Sequence, residues 1–218
     1  MSETAVTIPI DRDHLSADLT VPDRAVGLVI FAHGSGSSRH SSRNQAVARA
    51  LETRGLATLL ADLLTSAEEV EDRITARLRF DIPLLSERVM TLIDWAIGHA
   101  STRALPVGLF GASTGAAAAL VAAADRPAHV RAVVSRGGRP DLAGDALPQV
   151  AAPTLLLVGS LDREVLALNQ WAKARMRAPA SLEIVPGASH LFEEPGTLAD
   201  VAARAGDFFV EHLRRPSA

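Results

Sequence analysis

Residues 105–125, LPVGLFGASTGAAAALVAAAD, must take the backbone from extended to helical within five residues. A short apolar run, Val107 to Phe110, meets an alanine-rich run, Ala116 to Ala124, across Gly111-Ala112-Ser113-Thr114-Gly115. A G-x-S-x-G turn between a buried strand and a helix bends so sharply that its middle residue takes strained backbone angles, and small flanking residues keep the turn free of clashes. The Ser113 hydroxyl is then expected to stand clear of the sheet. The backbone N–H of Thr114, in the first helical turn, should point into the same space, with the positive end of the helix dipole behind it. A dinucleotide loop fits poorly here, because Gly108, Gly111 and Gly115 do not have G-x-G-x-x-G spacing and no acidic residue closes a second strand about 20 residues on.

The rest of the chain alternates in the same way. Ala5 to Ile10 and Leu15 to Val21 read as an N-terminal hairpin, and Val26 to Ala32 as a central strand buried on both faces. Ser42 to Gln45 fits an S-x-x-Q capping box that opens a helix ended by Gly55. Further strands are expected at Leu56 to Ala61, Val130 to Ser135, Pro153 to Val158 and Leu182 to Val185. Helices are expected at Leu84 to His99, Glu164 to Arg177 and Leu198 to Leu213, and Arg136 to Asp141 reads as a loop. Between Leu63 and Phe80, Val70, Ile74 and Leu78 recur every four residues, which predicts an amphipathic surface helix. This alternation implies a mostly parallel central sheet with helices on both faces, filling residues 1–218 as one α/β domain without a separate cap domain.

Composition removes several chemistries. The chain has no cysteine, so disulfides, thiolate metal sites and a cysteine nucleophile are excluded. Its net charge of −3 comes from interspersed signs, which gives no reason to expect nucleic acid or a membrane as partner. The N-terminal residues carry early acids and no continuous apolar segment, which reads as a cytoplasmic protein without a secretory signal.

A serine at such a bend needs a base and an acid that orients it, and in a parallel sheet these come from the C-terminal ends of strands. TLLLVGSLD puts Asp162 just past one predicted strand, and LEIVPGASH puts His190 just past the next. Asp162 could instead serve only as the N-cap of the helix that follows, and His190 could be a plain loop residue. His33 and His40 lie near the same edge but precede Ser113 in the chain, which disfavours them as the base. After Ala32, His33-Gly34-Ser35-Gly36 can turn backbone N–H groups inward, with Ser35 the first choice and Gly36 the second for a donor to an oxyanion. The same loop lacks the G-K-[ST] of a phosphate cradle.

Taken together, His33-Gly34, Gly111-x-Ser113-x-Gly115, Asp162 and His190 resemble the α/β-hydrolase superfamily over essentially the whole chain, and the compact, uncapped form resembles the dienelactone hydrolase family. The name-giving members of that family carry Cys at the elbow, where this chain has Ser113. The resemblance implies attack by Ser113 on a small ester, lactone or thioester, proton transfer through His190, orientation by Asp162 and oxyanion binding by the Thr114 and Ser35 N–H groups. No cofactor or metal is implied. Acyl transfer to another acceptor, perhydrolysis, or a non-catalytic binding role are the alternatives. With no insertion long enough for a lid domain, an open cleft is expected, and Thr65 to Phe80 is the best lid candidate. Arg39 and Arg43, with Arg136 and Arg139, cluster near the same edge; they read either as contacts to a substrate carboxylate or phosphate, or as surface ion pairs with Asp141 or Asp145.

Overall fold

The hairpin and the six apolar runs assemble into one eight-stranded sheet in the computed structural model, which describes residues 3–214. The strands are β1 (Glu3–Ile10), β2 (Asp13–Thr20), β3 (Gly27–Ala32), β4 (Leu56–Ala61), β5 (Val107–Ala112), β6 (Val130–Arg136), β7 (Thr154–Gly159) and β8 (Ala180–Val185). Their order across the sheet is β1-β2-β4-β3-β5-β6-β7-β8. β2 pairs antiparallel with both β1 and β4, and every other pairing is parallel. The central strands β3, β4, β5 and β7 are buried along their whole length, as continuous apolar runs covered on both faces must be.

The helices are α1 (Ser42–Glu52), α2 (Ser66–Thr75), α3 (Ile82–Gly98), α4 (Thr114–Asp125), α5 (Arg163–Lys173) and α6 (Thr197–Leu213). One apolar layer joins the sheet to α3 and α4, and the other joins it to α1 and α6. Strand order reverses beside β3, whose neighbours are β4 on one side and β5 on the other. The loops leaving β3 and β5 therefore part to opposite faces and leave a crevice at the C-terminal edge.

Three local expectations are corrected. The cap of α1 is Ser41, one residue earlier than expected, with its hydroxyl accepting from the Asn44 N–H at 3.3 Å. The loop read at Arg136 to Asp141 runs into 3-10 turns at residues 140–149, around the buried Pro140, Ala143 and Leu147; Gly144 and the two prolines in this stretch hide any regular period from the sequence. The third concerns α2, which turns its apolar stripe outward: Ile74 is 84% exposed, whereas Asp72 is 3% exposed. Polar tethers decide this orientation. Thr65 and Glu68 form a reciprocal capping box, Glu68 pairs with Arg88 of α3, and the Asp72 carboxylate accepts from the Arg79 backbone N–H at 3.0 Å and its Nε at 2.6 Å. Among the described residues, no helix is long and apolar enough to cross a membrane.

Candidate active site

Ser113 stands between the last residue of β5 and the first of α4 with φ 50° and ψ −123°, a conformation that costs a non-glycine residue about 1–3 kcal/mol. The surroundings hold it there. Its N–H donates to the Arg136 carbonyl at 3.4 Å, and its own carbonyl accepts from Ala116 and Arg139 N–H groups at 3.1 and 3.0 Å. The first turn of α4 passes so close to the end of β3 that a Cβ on Gly115 would lie 2.2 Å from the Ala32 carbonyl oxygen. Only glycine fits.

Asp162 follows β7 and occupies the N-cap position of α5, yet its side chain makes no capping bond. Its Oδ2 instead lies 2.6 Å from Nδ1 of His190, which follows β8. A carboxylate can only accept, so the Nδ1 N–H donates to it, which makes Nε2 the accepting nitrogen of the neutral ring. The loop bearing His190 is fixed by the Leu161 N–H to Ala188 carbonyl bond at 3.0 Å and by Glu194, whose carboxylate accepts from Ser189 N–H at 3.0 Å. Ser113 and His190 line the same cleft of about 260 Å³, together with Gly34, Ser35 and Arg136.

The loop after β3 closes the other side of that cleft. Gly34 approaches the elbow so tightly that a Cβ would sit 2.9 Å from the Ser113 Cβ. His33 is almost fully buried beneath it. Its Nε2 accepts from Leu63 N–H at 3.1 Å, and its Nδ1 donates to the Gly34 carbonyl at 3.0 Å. Burial lowers the His33 pKa, outweighing the opposing pull of its bond to Gly34, so the ring is held neutral. The Gly34 carbonyl and the Ser35 N–H belong to one planar peptide and point opposite ways, so the bond from His33 fixes the direction of Ser35 N–H. Sequence reading placed His33 at the start of the oxyanion loop and weighed its side chain as a base, but missed this anchoring role; its apolar strand context was the available signal of burial.

Of the arginines expected to meet substrate, Arg39 and Arg139 are placed elsewhere. Arg39 is drawn to Asp62 and to Asp18, the latter at 3.2 Å. Arg139 makes a bidentate pair with Asp141 at 2.8 and 2.9 Å. Neither lines the cleft; for both, a nearby carboxylate pairs with the guanidinium first. Arg136 does line it, as do Arg43 and Asn44 from α1. Among the described residues, no group of three or more metal-ligating acids and histidines is present.

Comparison with known proteins places this geometry in a family. The family profile described as an alpha/beta hydrolase domain matches residues 25–202. The crystal structure of a dienelactone hydrolase from Anabaena variabilis superposes with a TM-score of 0.96 at 54% identity, over 98% of this chain and 99% of that one. Est1E from Butyrivibrio proteoclasticus shares the fold with a TM-score of 0.80 at 18% identity, covering 95% of this chain and 98% of its own. A Mycobacterium tuberculosis protein provisionally named a phosphoribosyl transferase is 58% identical over 202 residues, which make up 93% of this chain but 45% of that protein. The chain thus spans less than half the length of that curated relative. Matched by the family profile across most of its length and by a 54%-identical structure across nearly all of it, the chain belongs to the α/β-hydrolase family and groups there with the dienelactone hydrolase-like proteins.

Proposed function

We propose that this protein is a serine hydrolase that cleaves a small carboxylic ester, lactone or thioester through an acyl-enzyme on Ser113. The observation that carries this reading is the 2.6 Å bond from Asp162 to His190, whose ring shares a cleft with a serine held in strained elbow geometry. In this reading His190 Nε2 takes the Ser113 proton as Oγ attacks the carbonyl carbon, and returns it to the leaving oxygen or sulfur as the tetrahedral intermediate collapses. Water then attacks the acyl group, with His190 again removing the proton and passing it back to Ser113. Asp162 keeps the ring in the reactive tautomer and stabilises the imidazolium. The N–H groups of Thr114 and Ser35 are the donors proposed for the oxyanion, each worth about 3–4 kcal/mol in the transition state.

The 54% identity to a dienelactone hydrolase supports hydrolysis of an ester-like bond by the whole chain acting as one catalytic unit. The name of the mycobacterial relative describes a protein of which this chain matches 45%, and phosphoribosyl transfer is not carried over to this site. A second cavity of about 420 Å³ lies across the His33–Ser38 loop, beneath α2 and the Leu78–Phe80 turn, and shares Gly34, Ser35, Ser37 and Ser41 with the cleft. It offers room for one half of a small substrate, with the 66–80 segment as its cover.

The test is turnover of a panel of short-chain p-nitrophenyl esters and thioesters by wild type and by Ser113→Ala. Wild type is expected to hydrolyse members of the panel, and the variant to lose about 10⁴-fold or more in kcat. Activity surviving in Ser113→Ala would remove the serine from the reaction.

A further inference from the structure

The cavity of about 420 Å³ beneath α2 has walls unlike those of the cleft. Three carboxylates line it, and each is paired with an arginine: Asp62 with Arg39, Glu69 with Arg73 at 2.8 Å, and Asp72 with Arg79 at 2.6 Å. Each pair cancels its own charge, so the cavity offers an ion no unbalanced sign. Among the described residues, Leu64 and Leu85 are the only aliphatic side chains larger than a methyl group on its wall, too few to sheathe an alkyl chain. Hydroxyl groups remain to meet a ligand. Those of Ser35 and Ser37 line the cavity and have no hydrogen-bond partner among the described residues.

Arg79 adds a donor that is already held in place. Its Nε donates to the Asp72 carboxylate, and its Nη2 donates to the Asp72 carbonyl at 2.9 Å. Asp72 is 3% exposed, so the guanidinium is gripped from a buried anchor. The remaining nitrogen, Nη1, faces the loop after β3: a Cβ placed on Gly36 would lie 3.4 Å from it. A free donor therefore stands one residue along the loop from the Ser35 N–H proposed for the oxyanion. Because Asp72 already matches its charge, this donor suits a neutral oxygen better than an anion, and because it is held, little side-chain freedom is lost when it binds one.

His190 decides which half of a substrate enters here. A leaving group has to stay within reach of His190 Nε2, and His190 lines the cleft but not this cavity. The space across the loop is left for the acyl half. We infer that the cavity beneath α2 is an acyl subsite for a polyhydroxy acid, whose hydroxyls accept from Arg79 Nη1 and exchange hydrogen bonds with Ser35 and Ser37. The substrate is then an ester or lactone of a hydroxyl-rich acid with an uncharged tail, of the aldonic acid type. That the half bound is the acyl half rests on the serine-hydrolase reading; the subsite for hydroxyls does not.

Two measurements separate the subsite from the hydrolase reading. The first is binding by ligand-observed NMR of N-methylgluconamide, N-methylhexanamide and N-methyladipamate, whose acyl chains are equal in length but hydroxylated, bare or anionic. The gluconamide is expected to bind wild type and Ser113→Ala with a Kd of about 1 mM, and the other two more weakly. Arg79→Met and Ser37→Ala are each expected to weaken it about threefold to tenfold. Ser37→Ala touches none of the bonds that hold residues 66–80, so it carries the test if Arg79→Met does not fold. The second is the ratio of kcat/KM for methyl gluconate over methyl hexanoate, with monomethyl adipate as the anionic control. This ratio is expected to be about tenfold or more in wild type and to fall in both variants. Hexanamide or adipamate binding as tightly as the gluconamide, or gluconamide binding undiminished in either folded variant, would overturn the subsite even if esters are hydrolysed. Gluconamide binding without turnover of any methyl ester would keep the subsite and reject the hydrolase.

Discussion

At the scale of single residues, the site depends on three bonds whose direction matters more than their strength. The bond between Asp162 and His190 selects a tautomer. Asp162→Asn keeps the shape of the side chain but can donate to Nδ1, which turns the imidazole the wrong way round. Its kcat is expected to fall about 10³–10⁴-fold with KM little changed, as steady-state kinetics on a working ester would show. The two bonds of His33 hold Gly34, and with it the peptide that carries Ser35 N–H. Because burial lowers the His33 pKa in the fold, the unfolded chain binds this proton more readily. That contribution to stability is whole above the ordinary pKa of 6.5 and is lost as pH falls below it. Melting curves recorded at about pH 7.5 and about pH 5.5 should therefore separate more for wild type than for His33→Gln, whose amide does not titrate. An equal separation would mean that His33 takes up its proton freely in the fold. Ser113, Asp162 and His190 were legible as candidates because each sits at a strand end with a characteristic neighbour, as in Gly111-x-Ser113-x-Gly115. Arg39 and Arg139 could not be told from Arg136 in sequence. What separates them is whether a carboxylate, Asp62 or Asp141, reaches the guanidinium in space.

At the scale of elements, buried strands and the helices between them were readable because periodicity and turn residues agreed. β4 has the bounds its apolar run suggested, and β5 and β6 each extend only slightly beyond theirs. The helix α2 was readable in position but not in orientation. Its four-residue apolar period pointed inward, and the structure turns Val70 and Ile74 to solvent because Asp72 is the residue tied down. Burial alone would raise the Asp72 carboxyl, but its hydrogen bonds from Arg79 more than cancel this and hold it below the usual carboxylate range. Asp72→Ala should release the Leu78–Phe80 turn from α2, costing about 1–3 kcal/mol. Faster amide hydrogen exchange confined to residues 66–80 would register that release. Exchange unchanged there would mean that the capping box and the pair between Glu68 and Arg88 suffice to hold the segment.

At the scale of the whole molecule, the sheet order puts the exits of β3, β5, β6, β7 and β8 along one edge, and each contributes a residue to the site or to its support. Residues far apart in sequence meet there because the strands are parallel, so that their C-terminal ends share one edge. That is why chain order and strand ends were enough to nominate Ser113, Asp162 and His190 together. Arg43, in the N-terminal turn of α1, was legible in sequence as lying near this edge, but only the fold shows that it and Arg136 line the same cleft. The account rests on one claim, that Ser113 is an activated nucleophile. The most direct measurement is intact-mass spectrometry of the full chain after treatment with a fluorophosphonate, with Ser113→Ala and His190→Ala alongside. One adduct per chain, mapped to Ser113 and absent from both variants, is the predicted result. A folded wild-type protein that takes no adduct, or takes it equally in Ser113→Ala, would contradict it.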